Sequence, residues 1–298
     1  MRIQIKDFMR VKHPSDPKRP HPARELGYRL RYADRELLGI KILNPQHHKY
    51  VEVYSRPNNL LLAVLIKKCL DPDLCNKTYK LLRTVDGDPY NRPGIIGEGA
   101  RQTIIKPDGS LSQREGQVPE AVIEVYGGKA DMLGHYFYKV PPRPGAAQCG
   151  PTAWTLREPE LYKQVLEFVK AINDVYKTYL PEQYAQQMEY VNTILPDFKI
   201  ENTAFTSLYV LKNAPTATHT DTFDYPGGFG VMATLEDPEK PFEGGEICFP
   251  SYRIAIDYRP GDVLLANVHQ LHGNFPVTDG ERVSCVLFVR KDIHKCPV

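Results

Sequence analysis

From about residue 200 to the C-terminus the chain is a succession of short β-rich runs cut at turn residues. No other feature of the sequence constrains the fold as much. The runs FTSLYVL, GFGVMATL, GEICFP, RIAIDY, DVLLANV and RVSCVLFVR follow one another, separated by clusters of Gly, Pro and Asp. Closely spaced short strands with turn signals between them predict an all-β sandwich or barrel rather than alternating strands and helices.

The chain before residue 200 has a different texture. Residues 13–23, HPSDPKRPHPA, are too proline-rich for helix or strand and are expected to be extended and exposed. Asn58 to Leu70 reads as a short helix with an apolar face, and Asp71-Pro72 as the cap and first-turn proline of a second helix reaching about Leu82. Residues 85–118 read as a long loop, 119–139 as one or two strands broken at Gly127-Gly128, and Pro141 to Gly150 as irregular. Thr155 and Glu158 have capping-box spacing. After them Leu161, Val165, Phe168, Ile172, Val175 and Tyr179 recur at intervals of three and four, which predicts a helix ending before Pro181. A further helix is expected from Pro181 to Asn192. The architecture is therefore expected to be α+β: a C-terminal jelly roll with a helical and irregular part, residues 1–199, whose helices pack on it. A chain of 298 residues suits one domain, 1–298, with a large core.

Composition excludes some classes of function. The longest apolar run, Leu60 to Ile66, falls far short of the roughly 20 residues a membrane span needs. The N-terminus MRIQIKDFMR lacks the apolar core of a secretory signal. An intracellular protein with no membrane partner is expected. The six cysteines (Cys69, Cys75, Cys149, Cys248, Cys285, Cys296) contain no CxxC pair, which argues against a zinc site. Cys248 and Cys285 lie inside apolar runs, as reduced core thiols do. A reducing compartment fits, although an even count is compatible with disulfides. Net charge is only +2, but residues 1–35 carry ten Lys/Arg against four acids, about +6. Such a segment suits either a polyanion or a solvated surface arm.

Four features within the β-rich region carry chemistry. His219-Thr220-Asp221 places a histidine and a carboxylate two residues apart, hence on one side of a strand. Arg259-Pro260-Gly261-Asp262 is a turn feeding the run Val263 to Val268. His272 follows that run and precedes Gly273-Asn274. Arg282-Val283-Ser284 again puts two polar residues on one face. Two neutral imidazoles and one carboxylate make the facial triad of non-heme iron(II) sites. Such a triad leaves three coordination positions for a bidentate 2-oxo acid and dioxygen. Arg282 suits the far carboxylate of that acid through two parallel hydrogen bonds, and Ser284 adds a third. An HxD pair alone is common, and a lone histidine is usually structural. The ordered set is what makes the signal specific. His269 is a rival for the distal histidine. His272 is favoured because Gly273 allows a close backbone turn there, and His269 is then expected to pack nearby or orient a neighbouring group.

This ordered set resembles the 2-oxoglutarate/iron(II) dioxygenases of the double-stranded β-helix type, over roughly residues 200–292. Within that superfamily the chain is similar to the TET/JBP group, which oxidises methyl groups on nucleic-acid bases. A short loop leads from His272 to Arg282-Val283-Ser284, as in that group. Phe288 stands six positions after the arginine, where the group has an aromatic residue that stacks on a flipped-out base. Asp224, three places after Asp221, matches a polar residue that helps read the base edge, and it equally suits a turn before Tyr225-Pro226-Gly227-Gly228. The resemblance implies Fe(II), 2-oxoglutarate as cosubstrate, O2, a DNA partner carrying a methylated base, and a nuclear location. A base inside a duplex would have to be flipped out, or single strands accepted. The chain departs from the 5-methylcytosine enzymes at one position. They have a histidine eight residues after the arginine, where this chain has Arg290, which donates hydrogen bonds but cannot accept them. The base stays open among 5-methylcytosine, thymine and N6-methyladenine. The same chemistry on a protein side chain or a metabolite is the alternative, and a barrel that binds without turnover is a third reading.

Overall fold

The structure, a computed structural model, describes residues 1–6, 30, 32–45, 47–56, 58–87, 128–138 and 148–296, with the backbone of 102–105 and 111–114. The proline-rich stretch 13–23 and most of the basic segment 1–35 lie outside the described residues.

Seventeen strands and five α-helices are present among the described residues. In the first half they are β1 (Arg2–Lys6), α1 (Tyr32–Leu38), β2 (Lys41–Leu43), β3 (Tyr50–Arg56), β4 (Leu61–Ile66), α2 (Pro72–Leu82), β5 (Gln102–Ile105), β6 (Leu111–Arg114), β7 (Lys129–Phe137) and β8 (Cys149–Pro151). Three helices follow: α3 (Ala153–Arg157), α4 (Pro159–Tyr179) and α5 (Pro181–Val191). The remaining strands are β9 (Ser207–Lys212), β10 (Gly230–Glu236), β11 (Glu243–Gly244), β12 (Ile247–Phe249), β13 (Ile254–Ile256), β14 (Val263–Ala266), β15 (Gly273–Asn274), β16 (Val277–Asp279) and β17 (Arg282–Phe288). A large sheet runs β1-β3-β4-β14-β10-β17-β9-β7-β8, and a smaller one β15-β12-β13-β2.

Period-two alternation explains why the large sheet is buried on both faces. Val231, Ala233 and Leu235 of β10 join Val263 and Leu265 of β14 and Val283, Cys285 and Leu287 of β17 in one buried cluster. Tyr79 and Leu82 of α2 and Val165, Phe168 and Ile172 of α4 belong to the same cluster, so these helices cover that face. The intervening residues Met232, Leu264 and Ala266 point the other way, into a second cluster with Ile247, Phe249, Ile254 and Ile256 of the small sheet. Two sheets joined across such an interior form a sandwich.

Several expectations about the first half need correction. Leu61–Ile66 is a strand, not part of a helix. Its run LLAVLI pairs antiparallel with both β3 and β14, and is apolar throughout because both faces are covered. Periodicity alone does not separate such a run from a buried helix. The first 199 residues are accordingly not just helical and irregular: β1 to β4, β7 and β8 all join the two sheets. Within the stretch read as a loop, β5 and β6 pair antiparallel. The helix cap at 155 is also displaced. Thr152 caps α3, with its hydroxyl accepting from the Thr155 N–H, and α4 starts separately at Pro159. Asp71 does cap α2, accepting from the Leu74 N–H at 2.9 Å.

No helix among the described residues is long and apolar enough to cross a membrane. Cys248 and Cys285 are free and buried, and burial pushes both thiols well up from their ordinary range. Cys149 and Cys296 form a disulfide, a pairing that the even cysteine count had left open.

Candidate active site

The site lies where β17 faces the small sheet. Because side chains alternate along a strand, Arg282, Ser284, Val286 and Phe288 all leave β17 on the face opposite its core residues. All four line one cavity of about 60 Å³, several times the ~10–15 Å³ that one water needs. His219, Asp221, Asp224, His272, Tyr209, Met232, Tyr258 and Asn274 complete much of the lining.

His219 and Asp221 are not on a regular strand. His219 instead forms an isolated antiparallel bridge directly to His272, with His219 N–H donating to the His272 carbonyl at 2.7 Å and the reverse bond at 2.9 Å. This reciprocal pair sets the two imidazoles side by side, ring centres 4.2 Å apart. Asp221 is held by its N–H donating to Val268 O at 3.0 Å. The close approach depends on Gly273. A Cβ there would stand 3.0 Å from the Thr216 carbonyl oxygen, so a side chain would push the two segments apart.

Both histidines are oriented by their own backbone. His219 Nδ1 lies 2.7 Å from Ala217 O, and His272 Nδ1 lies 2.9 Å from Gln270 O. A carbonyl only accepts, so each Nδ1 carries the proton and each Nε2 presents a lone pair. The Nε2 atoms lie 3.5 and 3.7 Å from the two oxygens of Asp221. Ligands about 2.1 Å from one ion and at right angles stand ~3.0 Å apart, so a bound divalent ion would draw the three side chains inward. Among the described residues these three are the only group of His, Cys, Asp and Glu so clustered. His272 is fully buried, and burial, with His219 next in effect, lowers its pKa to about 4. The imidazole therefore stays neutral, the form that ligates metal. His269 lies outside the group. Its Nε2 donates to Tyr225 O at 3.1 Å and braces the loop that carries Asp221.

Arg282 sits at the other side of the cavity, only 4% exposed. Its Nη2 donates to the Tyr258 hydroxyl at 2.8 Å, and that hydroxyl lies 3.4 Å from Ser284 Oγ. Its Nε has no hydrogen-bond partner, and no carboxylate among the described residues lies within ion-pair distance. A buried cation without an anion is costly, so the cavity suits an anionic ligand at this end. Gly245, with φ +76°, makes room for the arginine stem: a Cβ there would fall 2.9 Å from Arg282 Cδ. Tyr258 and Gly245 escaped sequence reading. The first is flagged only by preceding the Arg259-Pro260-Gly261-Asp262 turn, the second by the Gly244-Gly245 pair. The turn itself is structural, since Asp262 accepts from the Arg259 and Lys68 N–H groups.

Phe288 is 4% exposed, lines the cavity, and also packs with Ala130, Tyr209, Leu211 and Ala214. It serves core and cavity at once. Asp224 lines the cavity and is bridged through its backbone to Arg290, whose guanidinium lies 6.0 Å from the Phe288 ring centre.

Comparison with known proteins gives the chain a family and a fold. A thymine dioxygenase JBP1-A from Trypanosoma cruzi is 28% identical over 176 residues, covering 56% of this chain and 20% of the relative. Thymine dioxygenase JBP1 from Crithidia fasciculata is 25% identical over 212 residues, covering 66% of this chain and 25% of the relative. The chain thus spans about a fifth to a quarter of the length of these relatives. Among solved structures, NgTET1 in complex with 5mC DNA superposes with a TM-score of 0.52 at 13% identity, covering 87% of this chain and 84% of that one, which shows a shared fold. The family model described as the oxygenase domain of the 2OGFeDO superfamily, Tet_JBP, matches residues 136–291. The chain belongs to the TET/JBP family of 2-oxoglutarate/iron(II) oxygenase domains.

Proposed function

We propose that this chain is an iron(II)- and 2-oxoglutarate-dependent dioxygenase that hydroxylates a methyl group on a DNA base, namely 5-methylcytosine, thymine or N6-methyladenine. The observation that carries this reading is the single face of β17. An anion-seeking Arg282–Ser284 pair stands at one end, an aromatic Phe288 at the other, and the His219, Asp221 and His272 cluster opens on the same cavity. Six residues of strand separate Arg282 from Phe288 by about 20 Å of backbone. That spacing keeps the anion-binding end and the aromatic end of the cavity apart. The T. cruzi and C. fasciculata relatives, named thymine dioxygenases, and the DNA complex of NgTET1 support a base substrate.

Iron(II) and 2-oxoglutarate, when bound, supply with O2 an oxidative decarboxylation coupled to hydroxylation of a methyl group. The chain's own residues do the rest. His219, Asp221 and His272 hold the metal through two neutral nitrogens and one anionic oxygen, with both rings locked by their Nδ1–H bonds. Arg282 and Ser284 bind the distal carboxylate, and Tyr258 keeps the guanidinium turned toward it. Phe288 stacks on the base while Asp224 and Arg290 face its polar edge. Met232 and Val286 line the wall and keep water from the reacting centre. With His272 buried, a base in a duplex reaches this cavity only by leaving the stack.

Mass spectrometry of nucleosides tests the reading, after incubation with DNA carrying each of the three methylated bases. Phe288→Leu keeps most of the buried volume but removes the ring face. Stacking on an aromatic side chain is worth about 1–3 kcal/mol per base, so turnover should fall roughly ten- to a hundred-fold. Arg290→His should change the preference among the bases. A wild-type protein that oxidises no base would favour a protein or metabolite substrate instead.

A further inference from the structure

Phe223 is the most exposed aromatic side chain among the described residues, at 65%. A single exposed apolar residue is ordinary, but the setting of this one is not. It stands between Asp221 and Asp224, which both line the cavity, and its backbone is braced rather than loose. The Lys291 N–H donates to Phe223 O at 2.9 Å, the Asp224 N–H to Asp221 O at 3.3 Å, and Lys291 Nζ to Thr222 O at 2.8 Å. The isolated bridge between Asp224 and Arg290 ties the same turn to the end of β17. Two cations flank the ring: the Arg290 guanidinium 5.8 Å from its centre, and Lys291 Nζ at 5.9 Å. That guanidinium is also 6.0 Å from Phe288, so one cation stands between the cavity ring and the surface ring.

We infer that Phe223 is a wedge that enters the base stack of duplex DNA at the place vacated by the reacting base, with Lys291 meeting an adjoining phosphate. This rests on the proposed base-oxidising function and adds how a duplex is opened. Extruding a base costs a few kcal/mol of lost stacking and pairing, and leaves an apolar slot between base faces. An aromatic ring held outside the protein, beside the cavity that receives the base, fills such a slot and recovers stacking. Phosphates lie on both sides of any extruded nucleotide, so a cation beside the wedge has an anion to meet.

The test compares wild type, Phe223→Ala and Phe223→Trp on one methylated oligonucleotide, supplied as a duplex and as a single strand. Product is measured by mass spectrometry. Extrusion is read separately from the fluorescence of 2-aminopurine placed beside the target base. The alanine variant should lower the duplex-to-single-strand ratio of kcat/KM at least tenfold and remove the fluorescence rise, at an unaltered Tm. Tryptophan should restore both. An unchanged ratio, or an equal fall on both substrates, overturns the wedge while leaving the proposed function standing. A wild type that turns over neither form sinks that function and the wedge with it.

Discussion

Replacing Arg282 by lysine keeps the charge and removes the planar fork, which makes it a sharp test of the anion site. The guanidinium is 4% exposed and bonded through Nη2 to Tyr258, so it is already oriented and desolvated before any ligand arrives. An ammonium cannot hold the Tyr258 hydroxyl and also give two parallel hydrogen bonds to one carboxylate. Losing one charge-assisted hydrogen bond costs about 1.5–3 kcal/mol, which corresponds to roughly 10- to 150-fold weaker binding of 2-oxoglutarate. The assay is calorimetric titration of the metal-loaded protein with 2-oxoglutarate in the absence of oxygen, with succinate as a control ligand. Tyr258→Phe should produce a smaller loss, because the guanidinium remains but its orienting partner is gone. An unchanged Kd in Arg282→Lys would refute the argument and move the cosubstrate carboxylate elsewhere in the cavity.

Two further predictions concern the metal cluster and the acid limb of stability. Asp221→Ala and His272→Ala should each abolish high-affinity binding of a divalent ion, followed calorimetrically with Mn(II), whereas His269→Ala should bind the ion with partial activity; the opposite pattern would reverse the roles of His269 and His272. Burial lowers the His135 imidazole below its ordinary value, opposed by a backbone hydrogen bond at Thr206 and by Asp197. The folded state therefore takes up a proton less readily than the unfolded one. The stability linked to His135 is present above pH 6.5 and lost as pH falls below it. His135→Gln should flatten the fall of the urea midpoint between pH 7.5 and 5, and an identical slope in both proteins would exclude this histidine.

The residues of the candidate site were legible in the sequence because their signal is local. The spacing of His219 and Asp221, the glycine after His272, and the alternation that aligns Arg282, Ser284 and Phe288 are all properties of neighbouring residues. The strands after residue 200 were legible because short β-rich runs alternate there with clusters of Gly, Pro and Asp. Leu61–Ile66 was not, because a strand covered on both faces has no period-two alternation and reads like a buried helix. Tertiary structure alone decided the rest. The pairing of His219 with His272 joins segments 53 positions apart through two backbone hydrogen bonds, and no local pattern encodes it. Tyr258 becomes part of the anion site only because β13 and β17 bring it within 2.8 Å of Arg282. His269 and His272 are equivalent as residue types; what separates them is that the bridge to His219 aims one imidazole at Asp221, while the other is spent on the carbonyl of Tyr225.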